Sequence, residues 1–182
     1  DVVRELAVTV LPGLLQTSGY ARAVLTAFDT LIRAGRGPVT ERTILAAVAA
    51  RMKRQDFLAD PGKRLHAVIA ENALRGQMCT PADMLAQLGH LREAARRPNV
   101  TIEIIPDDTD MQVPFLHGFT LFDDQLLLID AYNTGLTSRG EKDVDFYRRV
   151  FDAVAAHAIP DIDPILDRHE LRYLNDLRER LI

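Results

Sequence analysis

A proline-glycine turn set directly before a helix start constrains this chain most. The run is Leu11-Pro12-Gly13-Leu14-Leu15-Gln16-Thr17-Ser18-Gly19-Tyr20. Pro12 presets φ and Gly13 accepts a positive φ, so the pair marks a turn. Thr17 or Ser18 then supplies a side-chain oxygen to cap a helix. From Tyr20 the apolar residues Tyr20, Val24, Phe28 and Leu31 recur at helical spacing. A short strand is expected before the turn, over residues 6–11, and a helix after it, over 18–34, ending in Gly35-Arg36-Gly37-Pro38.

The same signals divide the rest of the chain. Thr40 opens a helix over 40–58, which Asp60-Pro61-Gly62 closes. Residues 65–70 read as a strand. Thr80-Pro81-Ala82-Asp83 is a helix start, with Thr as cap and Pro at the first position; that helix is expected to run to Arg97 with Met84, Leu88, Leu91 and Ala95 on one stripe. Residues 100–105 form a β-branched strand, and 118–122 with 126–130 a hairpin about Asp123-Asp124-Gln125. A further short strand or turn is expected near 136–138. Helices follow over 141–158, with Val144, Tyr147, Phe151, Val154 and Ala158 as its stripe, and over 163–181, with Leu166, Tyr173, Leu174, Leu177 and Leu181 as its stripe. The expected fold is α+β: a single domain with a small, mainly antiparallel sheet packed against about five helices.

Length supports this, since 182 residues suffice for one domain with a sizeable core. No apolar run reaches the ~18 residues that a membrane-spanning helix needs, so no membrane is expected. Cys79 is the one cysteine, which excludes an internal disulfide and fits a reducing cytoplasm. A net charge of −4 argues against an independent DNA-binding face, and the absence of Trp with only 6% aromatic residues argues against a stacking platform for nucleic acid.

Several segments together resemble one bacterial family. They are Leu11 to Leu25, then Ala50-Arg51-Met52-Lys53-Arg54-Gln55, then Ala67 to Arg75, then Met84 to Pro106 with Gln87-Leu88-Gly89-His90-Leu91-Arg92-Glu93-Ala94-Ala95, and finally Asp143 to Phe151. In this order they are similar to the uncharacterised domain that follows XRE-type helix-turn-helix domains in bacterial regulators, antitoxin-like ones included. The resemblance covers roughly residues 8–160. It implies a sensing or partner-binding domain, with a small-molecule effector or a small companion protein as partner. DNA would be reached only through a helix-turn-helix domain that this chain does not contain. Asp1 in place of an initiator Met fits a segment excised from such a regulator. The tail 163–182 is longer and more charged than the family's usual end. Its stripe can close the core or form a homodimer seam through Leu174, Leu177 and Leu181.

Four residues stand out as candidate ligand-binding groups: Arg51, Gln55, Glu71 and His117. Arg51 and Gln55 fall on the helix face that carries Ile44, Val48, Met52 and Leu58. A charge on an apolar stripe is costly unless paired. Arg51 therefore either aims its fork at a ligand carboxylate or serves as a structural partner to a helix end or an internal acid such as Glu71. Glu71, just after an apolar strand, is either a pocket acid or that partner. In both cases the structural reading is favoured. His117 follows an acidic loop, but the five histidines lack metal-ligand spacing, and Asp107, Asp108 and Asp110 do not complete a calcium loop. No metal and no cofactor are expected, and no Gly-x-Ser-x-Gly nucleophile or phosphate-binding glycine loop is present. No catalytic residue is assigned. The competing reading is a stand-alone enzyme of a small-molecule pathway, with Glu71, Glu103, His117 or Tyr132 in acid–base roles.

Overall fold

The computed structural model describes residues 1–32, 40–76, 78–132 and 134–180. Its centre is β1, Val2–Ala7. This strand begins earlier than the expected 6–11, because Val3, Leu6 and Ala7 are buried on its two faces while Arg4 and Glu5 interrupt the apolar pattern. The Pro12-Gly13 turn leads into a short 3-10 turn, Gly13–Leu15, and then α1, Ser18–Ile32. Thr17 caps α1: its hydroxyl accepts the Tyr20 N–H at 3.3 Å, and its carbonyl accepts the Ala21 N–H. Tyr20 and Val24 are buried as expected, whereas Leu31 lies 64% exposed. The Gly35–Pro38 break lies outside the described residues.

Helix α2, Glu41–Arg54, is capped by Thr40 and gives way to a 3-10 segment, Gln55–Ala59, so Gln55 begins a tighter turn than the single helix expected over 40–58. Strand β2, Arg64–Ala70, runs parallel to β1. After a 3-10 turn over Glu71–Arg75, α3 spans Pro81–Ala95, with Thr80 accepting the Asp83 N–H as its cap. Met84, Leu88 and Leu91 are fully buried on its stripe. Strand β3, Val100–Ile105, pairs with β2 in parallel.

Strands β4, Phe119–Phe122, and β5, Leu126–Asp130, form the expected hairpin. Its turn has positive φ at both Asp123 and Asp124, the geometry that matches strand twist in a tight hairpin. β6, Gly135–Ser138, lies at the sheet's end. The order is β3-β2-β1-β4-β5-β6. The sheet is therefore mixed, not mainly antiparallel: β1–β2 and β2–β3 are parallel and the remaining pairs antiparallel. The reason is connectivity. Helical crossovers of the length found between β1 and β2, and between β2 and β3, permit parallel pairing, whereas tight turns permit only antiparallel pairing.

The two faces differ. On one, Val3, Ala7, Leu65, Ala67, Ile69, Ile102 and Ile104 pack with helical residues such as Val24, Leu88 and Leu166. On the other, Leu6, Val68, Phe119, Leu121 and Leu127 pack with Val144, Phe151 and Val154 of α4, Glu141–Ala155. Gly118 stands where β4 meets β1, because a Cβ there would come within 2.7 Å of the Leu6 carbonyl oxygen. The last helix, α5 (Asp163–Glu179), lies against α3. Its expected stripe divides: Leu166 and Tyr173 enter the core, but Leu174 is 40% exposed. Arg92 of α3 holds α5 through Glu170 at 2.7 Å, Asp163 and Asp167. Leu181 lies outside the described residues, and no described helix is long and apolar enough to cross a membrane.

Candidate functional site

The Leu11–Thr17 segment has no partner strand, so its backbone groups need partners from elsewhere. Side-chain amides supply them. Gln16 is buried; its Nε2 donates to the Leu11 carbonyl at 2.7 Å. Gln87, fully buried on α3, donates to the Leu15 carbonyl at 2.6 Å and accepts the Thr17 N–H at 2.7 Å. The Tyr20 hydroxyl accepts the Leu11 N–H at 3.1 Å.

Arg51 and Gln55 belong to this network. Arg51 Nη1 donates to Gln16 Oε1 at 2.9 Å, and Gln55 Nε2 donates to the Gln16 carbonyl at 2.5 Å. The structure thus brings these two candidates together, but Glu71 is not their partner. Glu71 follows β2 directly, while Arg51 reaches the turn after β1; the ion pair expected between them is replaced by neutral amides.

Arg51 also faces the sheet. Burial and the nearby Arg54 lower its pKa, and the charges of Glu5 and Asp130 oppose that shift. Register explains the grouping. Glu5 pairs with Thr120 of β4, and Thr120 with Leu128 of β5, so all three share a face with Asp130. Glu5 is pushed up to about 7, first by burial and then by the Asp130 charge, with Arg51 opposing. Yet Glu5 remains half-buried rather than sealed. β1 lies between β2 and β4, and on this face its neighbours Val3 and Ala7 are buried beneath the helices. The Phe28 ring of α1 lies 6.1 Å from the exposed Tyr132 ring just after β5.

Glu71 occupies a second place. It is 7% exposed and accepts from the Asp107 N–H, Arg168 and His169, each at 3.0 Å. Burial alone would raise its pKa, but these donors together hold it below the usual carboxylate value. Burial lowers His169, so its Nε2 acts as a neutral donor; its buried Nδ1 meets no hydrogen-bond partner among the described residues. Glu71, Pro106, Asp107 and Arg168 line a concavity of about 520 Å³ where β2 and β3 end.

His117 is exposed on the other side of the sheet, with its Nε2 3.3 Å from the Tyr147 hydroxyl. Glu103 pairs with His66 at 2.6 Å. Glu71, Glu103, His117 and Tyr132 therefore each keep separate partners. Among the described residues no group of three or more His, Cys, Asp or Glu is placed to hold a metal.

The reading from sequence missed Glu5, Asp130, Gln16 and Gln87. A signal for Glu5 was present: it is an acid inside the apolar run Val2-Val3-Arg4-Glu5-Leu6-Ala7. Gln16 and Gln87 carry no such signal, because neutral amides at surface positions look the same.

The model of a family described as "Domain of unknown function (DUF5753)" matches residues 1–164. No curated protein matches the chain.

Proposed function

Since the chain belongs to the DUF5753 family, we propose that it is the effector- or partner-binding domain of an XRE-type transcriptional regulator, working as a homodimer and reaching DNA through a helix-turn-helix domain. The observation that carries this reading is Glu5: a partly buried acid on a central strand, on the sheet face that also carries Asp130, acted on by the Arg51 charge and pushed up to about 7. Titratable groups shifted by burial and by a specific charge are enriched at functional sites. The binding site is the sheet face at Glu5, with Arg51 and Gln55 held beside it through Gln16. Leu171 and Leu174, exposed on α5, supply the dimer seam.

The test uses the complete reading frame that encodes this chain. Its product is assayed for sequence-specific binding to the DNA upstream of its own gene, beside the folded variants E5Q and R51M. Coupling free energies between sites correspond to roughly 5–150-fold changes in affinity, and a change in that range in either variant is expected. A reading frame without a helix-turn-helix segment, or DNA affinity that neither variant alters, overturns the proposal.

A further inference from the structure

The sheet face opposite Glu5 changes character halfway along three adjacent strands. On that face β1 presents Arg4 and then Leu6, β2 presents Arg64 and His66 and then Val68, and β3 presents Thr101 and Glu103 and then Ile105. Leu6, Val68 and Ile105 are buried in one core with Val144, Phe151 and Val154 of α4. The Phe151 ring lies edge-on to His66 at 5.0 Å. The polar halves of the strands, by contrast, floor a concavity of about 240 Å³ whose lining includes Val2, Arg4, Arg64, His66, Asn99 and Thr101.

Register gathers the donors. Arg4 pairs with His66 and His66 with Thr101, so the three stand side by side, and Val2 with Arg64 forms the row before them. Neighbouring strands lie ~4.8 Å apart, which puts both guanidiniums and the Thr101 hydroxyl within side-chain reach of a common point. Asn99 fixes the wall, because its Nδ2 donates to the Leu58, Asp60 and Lys63 carbonyls. No carboxylate lines the concavity. Arg4 gives Nη1 to Asp124 and keeps its other donors, and His66 Nε2 lies 2.6 Å from Glu103. Arg64 and the Thr101 hydroxyl have no side-chain partner among the described residues.

We propose that this concavity binds the phosphate group of a small organic phosphate, with Arg4, Arg64 and Thr101 donating to its oxygens. Donors that converge from three strands suit a tetrahedral oxyanion, whereas one guanidinium fork satisfies a planar carboxylate. Size limits the body: the volume falls below the ~300–1,000 Å³ of sites for drug-sized ligands, so a phosphate on a short carbon chain fits and a dinucleotide does not. Flanking acids limit the charge. Glu103 lies beside His66, and Asp123 and Asp124 stand in the turn that bonds the Val2 backbone. They repel a polyanion such as duplex DNA while leaving room for one anionic group. The site lies on the other side of the sheet from Glu5 and stands whether or not the Glu5 face binds a ligand.

The experiment is titration of the protein with glycerol phosphate, read by calorimetry and by backbone amide resonances in NMR spectra, at constant pH and ionic strength so that screening stays fixed. The expected result is saturable binding that shifts the resonances of Arg4, Arg64, His66 and Thr101, while glycerol shifts none of them. Arg64→Met, checked for folding by circular dichroism, weakens binding by about tenfold or more, as the loss of a hydrogen bond to a charged group does. Thr101→Val, which loses a single neutral donor, weakens it severalfold. Shifts that sodium chloride reproduces at the same ionic strength overturn the proposal, as does an affinity that Arg64→Met leaves unchanged. A DNA duplex of random sequence that displaces glycerol phosphate assigns these donors to nucleic acid and overturns the small-ligand assignment.

Discussion

Two polar regions meet at Arg51 and are built on opposite terms. Around Leu11–Thr17, donors and acceptors from three segments match one another, with Gln16 and Gln87 buried and bonded on both ends of their amides. A few residues away, Glu5 keeps a carboxyl among β1, α2 and β5 whose charge is only partly offset. Satisfied buried amides specify one arrangement and stabilise it. A partly offset charge does neither, and it costs stability whenever the carboxyl ionises. The contrast separates scaffold from proposed site: the first region holds a backbone segment in place, and the second carries a charge that its neighbours only partly meet.

The largest expected effect breaks the scaffold. Gln87→Ala orphans the Leu15 carbonyl and the Thr17 N–H. At ~1–3 kcal/mol for each of the two buried groups left unpaired, the loss is about 2–6 kcal/mol. For a chain of this size that lowers Tm by roughly 4–24 °C in a calorimetric scan. A smaller loss would mean that water replaces the amide and that the segment is not a sealed scaffold.

Glu5 gives the next effect, with the opposite character. Its folded pKa of about 7 lies above the ordinary value of 4.5, so the folded state binds more protons than the unfolded state between those values. Stability then falls as pH rises through that window, by up to ~3 kcal/mol and less to the extent that water reaches the carboxyl. Denaturant midpoints measured at about pH 5 and about pH 8 should show the fall, and Glu5→Gln should flatten it and stabilise the protein on the alkaline side. Equal pH dependence in the two proteins would make Glu5 part of the scaffold.

Glu71 tests the intermediate case, a buried carboxylate that is fully paired. Its folded pKa is depressed, so its contribution is complete above the ordinary carboxylate value and vanishes as pH falls through the folded one. Glu71→Ala is expected to cost about 1–2 kcal/mol at neutral pH and less in strong acid, read as a shift of the urea midpoint. The smallest effect belongs to Arg22–Glu41, an ion pair with both partners mostly in water. Arg22→Ala should change stability by under ~0.5 kcal/mol, and a larger change would show that α1 and α2 depend on that contact.

Local signals were legible and long-range partnerships were not. Thr80, Pro81 and Asp83 announce α3 within four residues, and Asp123-Asp124 announces the hairpin, because capping and turn chemistry act over one helical turn. The sequence places β1 too late because Arg4 and Glu5 break its apolar pattern; one faces Asp124 and the other lies under the charges of Asp130 and Arg51. The parallel half of the sheet depends on crossovers, which no strand pattern encodes. The sequence marks Arg51 as a charge in need of a partner, at a helix end or an internal acid, and the structure supplies neither. The partner is an amide 35 positions earlier, and neutral amides give no contrast in charge or hydropathy. Arg51 and Gln55 were rightly joined, while Glu71 and His117 face other elements entirely.

The place of β1 has a consequence for the time course of synthesis. It is the first strand of this sheet to be made, yet it is an inner strand whose neighbours come much later: Val3 pairs with Leu65 on one side and with Phe122 on the other. At about 5–20 residues per second on the ribosome, the second neighbour follows after roughly 6–24 seconds. Throughout that interval an apolar strand waits with an open edge. Nascent chains are therefore exposed to misassembly in the order in which the strands are translated, and a chaperone that shields β1 would protect the whole sheet.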